Sequence, residues 1–349
     1  MAHVSRMPTP SEPGVIRLSS LPDLVAVVPA LIGFQPTESL VVVTLRGPRH
    51  RAGLTLRVDL PERAGERSVV DSAVAAVRRS GAESSVVFVC TDDPTARPHA
   101  RLVKALHRAL TGAGVDVLDC VLVRAGRCWS YRCTQACCPP QGRPVPPPNP
   151  ALVAALVAQG RAVLDDRTAL VASIAPVAGR RAAAMASHLR RERRRRAMGA
   201  TDAAVELEDI RRWLQAHVDG QLPDDPTAAR IIAACDDPLV RDGLIAGLAG
   251  REPHDLLPLL VQLATLTVPP HDAEVLTVLA FTAYVVGNGA LANVALDRAL
   301  DSDPGHRAAT LLRHGIDRAL PPATFRELTA QVAAGVTARL DSLPGAASA

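Results

Sequence analysis

Pro139-Pro140-Gln141-Gly142-Arg143-Pro144-Val145-Pro146-Pro147-Pro148-Asn149-Pro150 decides how the chain is read. Seven prolines here fix φ and remove backbone donors, which excludes a helix or a central strand and leaves an extended connector of polyproline type. N-terminal to it, short β-branched runs alternate with amphipathic stretches. C-terminal to it, nearly every segment follows the helical period, broken at prolines and glycines. The expected organisation is an α/β domain over 14–138, a proline-rich linker over 139–150 and an all-helical array over 151–343. A length of 349 residues suits two cores, because single cores stop growing at about 250 to 300 residues.

Working toward the N-terminus, the spacing predicts a helix over Pro22–Ile32, ended by Gly33, and a buried strand over Ser39–Leu45. A second strand over Gly53–Leu60 can close a hairpin through Gly47-Pro48. Val69, Val70, Ala73, Val74 and Val77 then mark an amphipathic helix within Glu62–Ser80. Ser84–Cys90 reads as a strand, the stretch around Leu102, Leu106 and Leu110 as a helix ending at Gly112, and Val115–Val123 and Arg127–Arg132 as strands joined at Ala125-Gly126. This order implies a mixed sheet with helical crossovers and an antiparallel margin.

Ligands gather at the carboxyl ends of parallel strands, which makes Asp59, Asp92, Asp93 and Arg124 the candidate ligand-binding residues. Paired carboxylates could hold a divalent metal or share acid and base roles, as in an enzyme acting on a small ligand. The plainer roles are a cap at Asp93, before Pro94, and a turn at Asp59, before Leu60-Pro61.

Cys133-Thr134-Gln135-Ala136-Cys137-Cys138 adjoins the linker. Thiolates bind zinc at about 2.3 Å in tetrahedral sets of four. Cys133, Cys137 and Cys138 could supply three ligands of a structural zinc site, with Cys128 or Cys120 as the fourth. The spacing lacks the paired Cys-x2-Cys knuckles of common zinc sites, so a reactive thiol or plain structural thiols are the competing readings.

In the second half, Leu276, Leu279, Ala280, Gly287, Ala292, Leu296, Ala299 and Pro304 space small and large residues as a single tetratricopeptide unit does, over about residues 273–304. One such unit cannot bury its own face and is expected to stack on helices such as Pro238–Ala249 and His254–Thr265. Arg190, Arg191, Arg193, Arg194, Arg195 and Arg196 form the one strong charge run. A helix carrying them could neutralise phosphates of a nucleic acid, although no aromatics interleave to stack bases. Lys104 is the sole lysine among 39 basic residues, a bias expected of a GC-rich genome that weakens any arginine cluster as a signal. The net charge of +4 does not by itself demand a polyanionic partner.

No phosphate loop, nucleophile elbow, zinc-protease helix or dinucleotide fingerprint is present. The longest apolar runs fall short of the ~20 residues that span a bilayer, and Met1–Pro13 lacks the pattern of a secretory signal. A cytoplasmic protein without a membrane partner is expected.

Three motifs in order, Pro29-Ala-Leu-Ile-Gly33-Phe34-Gln-Pro36-Thr-Glu-Ser39-Leu40-Val41, Arg57-Val58-Asp59-Leu60-Pro61, and Trp129-Ser-Tyr-Arg-Cys133 with Cys137-Cys138-Pro139, resemble the actinobacterial family called domain of unknown function 4192. Leu291 to Leu300 fits it as well. The resemblance covers nearly the whole chain and implies an actinobacterial origin, but it transfers no activity. It marks Gly33, Pro36, Ser39, Asp59 and Cys133 to Pro139 as pattern positions, and Ser39 joins the strand-end residues as a ligand-binding candidate. The leading expectation is a binding or regulatory protein that docks a protein partner through its helical half.

Overall fold

A computed structural model describes residues 21–133, 135, 138–150, 154, 163–216, 222–246, 253–269 and 271–342. Residues 14–20 of the expected first region, Cys137, and most of 151–162 lie outside the described residues. The first half runs α1 (Leu21–Ile32), β1 (Ser39–Arg46), β2 (Arg51–Asp59), α2 (Glu66–Arg79), β3 (Ser84–Cys90), α3 (Ala100–Gly112), β4 (Asp116–Arg124), β5 (Arg127–Ser130) and β6 (Arg143–Pro144). These strands form one six-stranded sheet in the order β2-β1-β3-β4-β5-β6. β1 is antiparallel to both β2 and β3, β3 and β4 are parallel, and β5 and β6 continue antiparallel. β2 and β3 therefore run the same way, and α2 and α3 each cross between parallel strands, which gives the mixed sheet expected.

β1 and β3 are apolar at consecutive positions because both faces of the sheet are covered. Leu40, Val42, Val87, Val89, Cys120 and Leu122 form the outer face, under Val70, Ala73 and Val77 of α2 and Leu102, Leu106 and Leu110 of α3. Val41, Val43, Val86, Phe88 and Val121 form the inner face, which packs with Val25, Val28 and Ile32 of α1 in a cluster that continues into the helices beyond the linker. Gly33, with φ of +88°, ends α1 through its N–H bond to the Pro29 carbonyl. Phe34 then bridges in parallel to Leu164, with Gln35 N–H to Leu164 O at 2.9 Å and Leu164 N–H to Gly33 O at 3.0 Å.

The proline-rich stretch is not only a connector. Arg143 and Pro144 pair with Cys128 and Arg127 as a two-residue strand. Proline is tolerated there because β6 is an edge strand, whose outward side needs no donor.

The second half is helical: α4 (Arg167–Ser173), α5 (Gly179–Ala197), α6 (Ala203–Ala216), α7 (Asp225–Ala234), α8 (Pro238–Ile245), α9 (Pro253–Leu266), α10 (Ala273–Val285), α11 (Gly289–Ser302), α12 (Arg307–Asp317) and α13 (Pro322–Asp341). α10 is apolar all round and buried along most of its length, as a central helix must be. It packs on α11, α9, α8, α13 and α12, so the neighbours expected from sequence, α8 and α9, are among those that stack on it. Gly287, with φ of +83°, turns the chain between α10 and α11, and the Asn288 side chain accepts the Leu291 N–H at 3.2 Å as the N-cap of α11.

A buried ion pair ties this array together. Asp272 is fully buried and accepts from Arg298 at 2.9 Å. The Arg298 guanidinium also donates to the carbonyls of Ala264 at 2.7 Å, of Thr267 at 3.1 Å and of Ile174. One side chain thus satisfies carbonyls left open after α4 and α9, where the helical ladder ends. Among the described residues no helix is long and apolar enough to cross a membrane.

Candidate functional site

The register Ser39↔Asp59 and Ser39↔Cys90 brings the start of β1 and the ends of β2 and β3 to one sheet edge. β4 ends at the same edge at Arg124, beside the Thr91 N–H, which bonds the Val123 carbonyl at 3.3 Å. The strand-end residues singled out by sequence therefore do converge on one rim, but they divide there by what each side chain already holds.

Ser39 and Asp59 are engaged by Arg57. The Ser39 hydroxyl accepts from Arg57 Nε at 2.9 Å and donates to the Thr37 carbonyl at 2.6 Å. Asp59 pairs with Arg57 at 2.6 Å, and the same guanidinium lies 5.6 Å from the centre of the Phe34 ring. Asp93 turns the loop after β3 and does not cap a helix: its carboxylate accepts the Thr95 N–H at 2.9 Å, and α3 begins only at Ala100. That bond is the main cause that holds its carboxyl below the usual carboxylate range.

Glu38, which sequence reasoning passed over, is the residue that staples the rim. Held at φ of +40°, it accepts from Thr91 Oγ1 at 2.7 Å and from the Asp92 N–H at 3.0 Å, and its carbonyl accepts the Leu60 N–H at 2.9 Å. The feature that marks it, a non-glycine residue in the left-handed region, belongs to the folded backbone, so the sequence carried no signal for it.

Asp92 and Arg124 line a cavity of about 500 Å³. Its walls come from Val25, Val28 and Pro29 of α1, from Phe88, Cys90 and Val123 of the sheet, and from Val145, Pro146 and Pro148 beyond β6, with Gln35, Thr37 and Thr91 adding polar groups. Arg124 Nη1 donates to the carbonyls of Thr95, at 3.0 Å, and Asp93, and its guanidinium lies 5.2 Å from the centre of the Trp129 ring.

Trp129 belongs to a second cavity, of about 440 Å³, on the outer side of β5, lined also by Arg97, Tyr131, Cys133, Gln135, Cys138 and Pro140. Residues 139–142 lie back against β5. Trp129 Nε1 donates to the Pro140 carbonyl at 2.9 Å, Arg127 to the carbonyls of Gln141 at 2.5 Å and Gly142 at 2.9 Å, and the Tyr131 hydroxyl to the Pro98 carbonyl at 2.6 Å. Gly142, with φ of +74°, lies so close under the indole that an added Cβ would stand 2.4 Å from it.

The cysteines named as zinc ligands are distributed over this region. Cys133 and Cys138 share the second cavity. Cys128 faces the inner side, in the apolar cluster with Val121, and burial pushes its thiol pKa up. Cys120 faces the outer side, where burial, reinforced by Asp119, raises its thiol to about 11. Among the described residues no group of three His, Cys, Asp or Glu side chains is arranged to hold a metal.

The arginine run divides by face of α5. Arg193 pairs with Asp236 at 2.7 Å, and Arg196 pairs with Glu206 and, at 3.8 Å, with Asp237, so these two fasten α5 to its neighbours. Met185 and Leu189 are buried on the same helix. Arg190, Arg191, Arg194 and Arg195 stay exposed, with Glu192 near Arg191 and Arg195 at 3.6 Å each.

A family described as Domain of unknown function (DUF4192) matches residues 22–323, from α1 to the start of α13. The chain belongs to that family. Among curated proteins and solved structures nothing matches it. The DUF4192 match spans both cavities and both sides of the proline-rich stretch. In this DUF4192 chain Gly33 ends α1, Pro36 lines the larger cavity, Ser39 and Asp59 hold Arg57, and Cys133, Cys138 and Pro139 line the smaller one.

Proposed function

We propose that this protein is a ligand-binding regulatory protein: the cavity at the carboxyl ends of β3 and β4 takes a small molecule with an apolar body, and the helical half docks a protein partner. The observation that carries the reading is the composition of the cavity wall, which draws on α1, the sheet and the segment after β6 at once, so that an occupant touches three separate parts of the chain. Its place outside the carboxyl ends of parallel strands is where α/β sheets hold ligands. The α10–α11 pair, with its likeness to a tetratricopeptide unit, supports the docking role, and a cytoplasmic, actinobacterial setting fits the composition. Reading the rim carboxylates as catalytic has less support, because Asp59 and Asp93 are spent on Arg57 and Thr95.

A neutral environment-sensitive naphthylamine dye tests the cavity. Saturable fluorescence enhancement is expected with the full chain and its loss with Val145→Trp, which fills the space; equal enhancement in both would overturn the reading. Cross-linked copurification from the native host is expected to yield a reproducible protein partner, and its failure would remove the docking role.

A second reading, binding of nucleic acid, has one observation in its favour. Arg193 and Arg196 fix α5 in place while Arg190, Arg191, Arg194 and Arg195 stay exposed on its surface, where only Glu192 offsets their charge and phosphates could reach them.

A further inference from the structure

Resting on the cavity reading above, we propose that the ligand is an aliphatic carboxylate, its chain seated between α1, the sheet and the proline segment and its carboxylate held by Arg124.

The walls decide the body. Val25, Val28, Val123, Val145, Pro146 and Val163 are aliphatic, and the one aromatic ring in the lining, Phe88, is fully buried and offers no open face for a planar ligand to stack on. Such a lining suits a flexible hydrocarbon chain, whose burial is favourable in proportion to the apolar area removed from water.

Arg124 decides the head. Its guanidinium is part of the cavity lining, half-buried, and fixed from two sides, by the carbonyls of Asp93 and Thr95 and by the face of Trp129. The hydrogen-bond acceptors are neutral, and the nearby Asp93 carboxylate acts on the guanidinium only through space, whereas Arg57, Arg193, Arg196 and Arg298 each pair directly with a carboxylate. A half-buried cation held this way gains from an anion, and a guanidinium fork matches a carboxylate in two parallel hydrogen bonds. Because carbonyls and indole already immobilise the side chain, little rotamer freedom is left to lose on binding.

Asp92 lines the same cavity and opposes an anion, but the residue is exposed and its charge screened by solvent, and its backbone N–H is held by Glu38. The two rim charges therefore give opposite signs. Removing Arg124 should weaken a carboxylate ligand and removing Asp92 should strengthen it, while an amine ligand would show the reverse.

Isothermal titration of the full chain with octanoate, octan-1-ol and octylamine at neutral pH tests this. Octanoate is expected to bind about 10- to 100-fold more tightly than octan-1-ol, the range that a charge-assisted hydrogen bond confers. Arg124→Gln, which keeps donors for the Asp93 and Thr95 carbonyls, should bring octanoate to the level of the alcohol, and Asp92→Asn should tighten it. Should the glutamine variant fail to fold, the order of the three probes on the unaltered protein still decides. Equal affinity for alcohol and carboxylate, or preference for the amine, overturns the carboxylate assignment and leaves the cavity reading standing. Binding of none of the three overturns both.

Discussion

The two faces of the sheet are built in different ways. The outer face is closed by α2 and α3, the helices that cross between its own strands, and its cluster is confined to residues from Leu40 to Tyr131. The inner face meets α1 and then continues into helices as far along the chain as Val336 of α13. The outer face is thus local packing, made within one stretch of the chain, and the smaller cavity lies at its β5 margin. The inner face joins segments that are distant in sequence, and the larger cavity lies on it. Space for a ligand is found where parts of the chain that are not consecutive come together, as is common for binding sites.

The largest expected effect bears on whether the inner face truly unites the chain. Phe88 is fully buried there, and Phe88→Ala should cost about 3–5 kcal/mol. Trp129 reports on the sheet and Trp213 on α6, so single-tryptophan variants can follow each in denaturant. Both reporters should shift together; a shift at Trp129 alone would break the comparison. Leu106→Ala, on the outer face, should cost about 2–5 kcal/mol. Its effect on amide exchange should stay with α2, α3 and the sheet, and new exchange in α10 would show that the two faces are not distinct.

Smaller effects sharpen the picture at single sites. Gly142→Ala should cost about 1–3 kcal/mol, since it combines a left-handed backbone with an overlap on Trp129, and should change the Trp129 emission. An unchanged spectrum would mean that the loop does not hold the indole as described.

Glu274 offers a test by pH. Burial pushes its carboxyl up, but the hydrogen bond with His306 and the nearby Arg241 outweigh this and hold it below the usual range. The stabilisation is therefore complete above the unfolded-state pKa of about 4.3 and is lost as pH falls through the lower folded value. Glu274→Gln should flatten that acid limb, and an acid transition that stays as steep would remove Glu274 from it. Least of all, Arg194→Ala should change stability by no more than about 0.5 kcal/mol. If α5 binds nucleic acid, the same change should lower the slope of log affinity against log salt by up to about 0.9, and an unaltered slope would dismiss that reading.

The outer face was largely legible in the sequence because its rules are local. β-branched runs gave β1, β3 and β4, helical spacing gave α2 and α3, and Gly33 and Ala125-Gly126 marked a helix end and a hairpin turn, all of which the chain adopts. The convergence of Ser39, Asp59, Asp92, Asp93 and Arg124 at one edge followed from strand direction alone. What each of them does there could not be read, because it depends on partners fixed by tertiary structure: Arg57 for Ser39 and Asp59, the Thr95 carbonyl and Trp129 for Arg124. Glu38 was hidden for the same reason. β6 was obscured by its prolines, which deny a central strand but permit an edge. The carbonyls gathered by Arg298 come from α4 and α9, more than thirty positions away, and nothing in their local sequence announces a shared partner.

The Phe34–Leu164 bridge carries a practical consequence. It returns the chain, beyond the proline-rich stretch, to the end of α1, so the peptide bonds between Gly142 and Leu164 are spanned by non-covalent contacts on either side. Residues 1–149 and 150–349, produced as two separate polypeptides in the same cell, should find one another and reconstitute the sheet and its helices. The protein would then serve as a split reporter, its reassembly read out without any covalent link between the pieces.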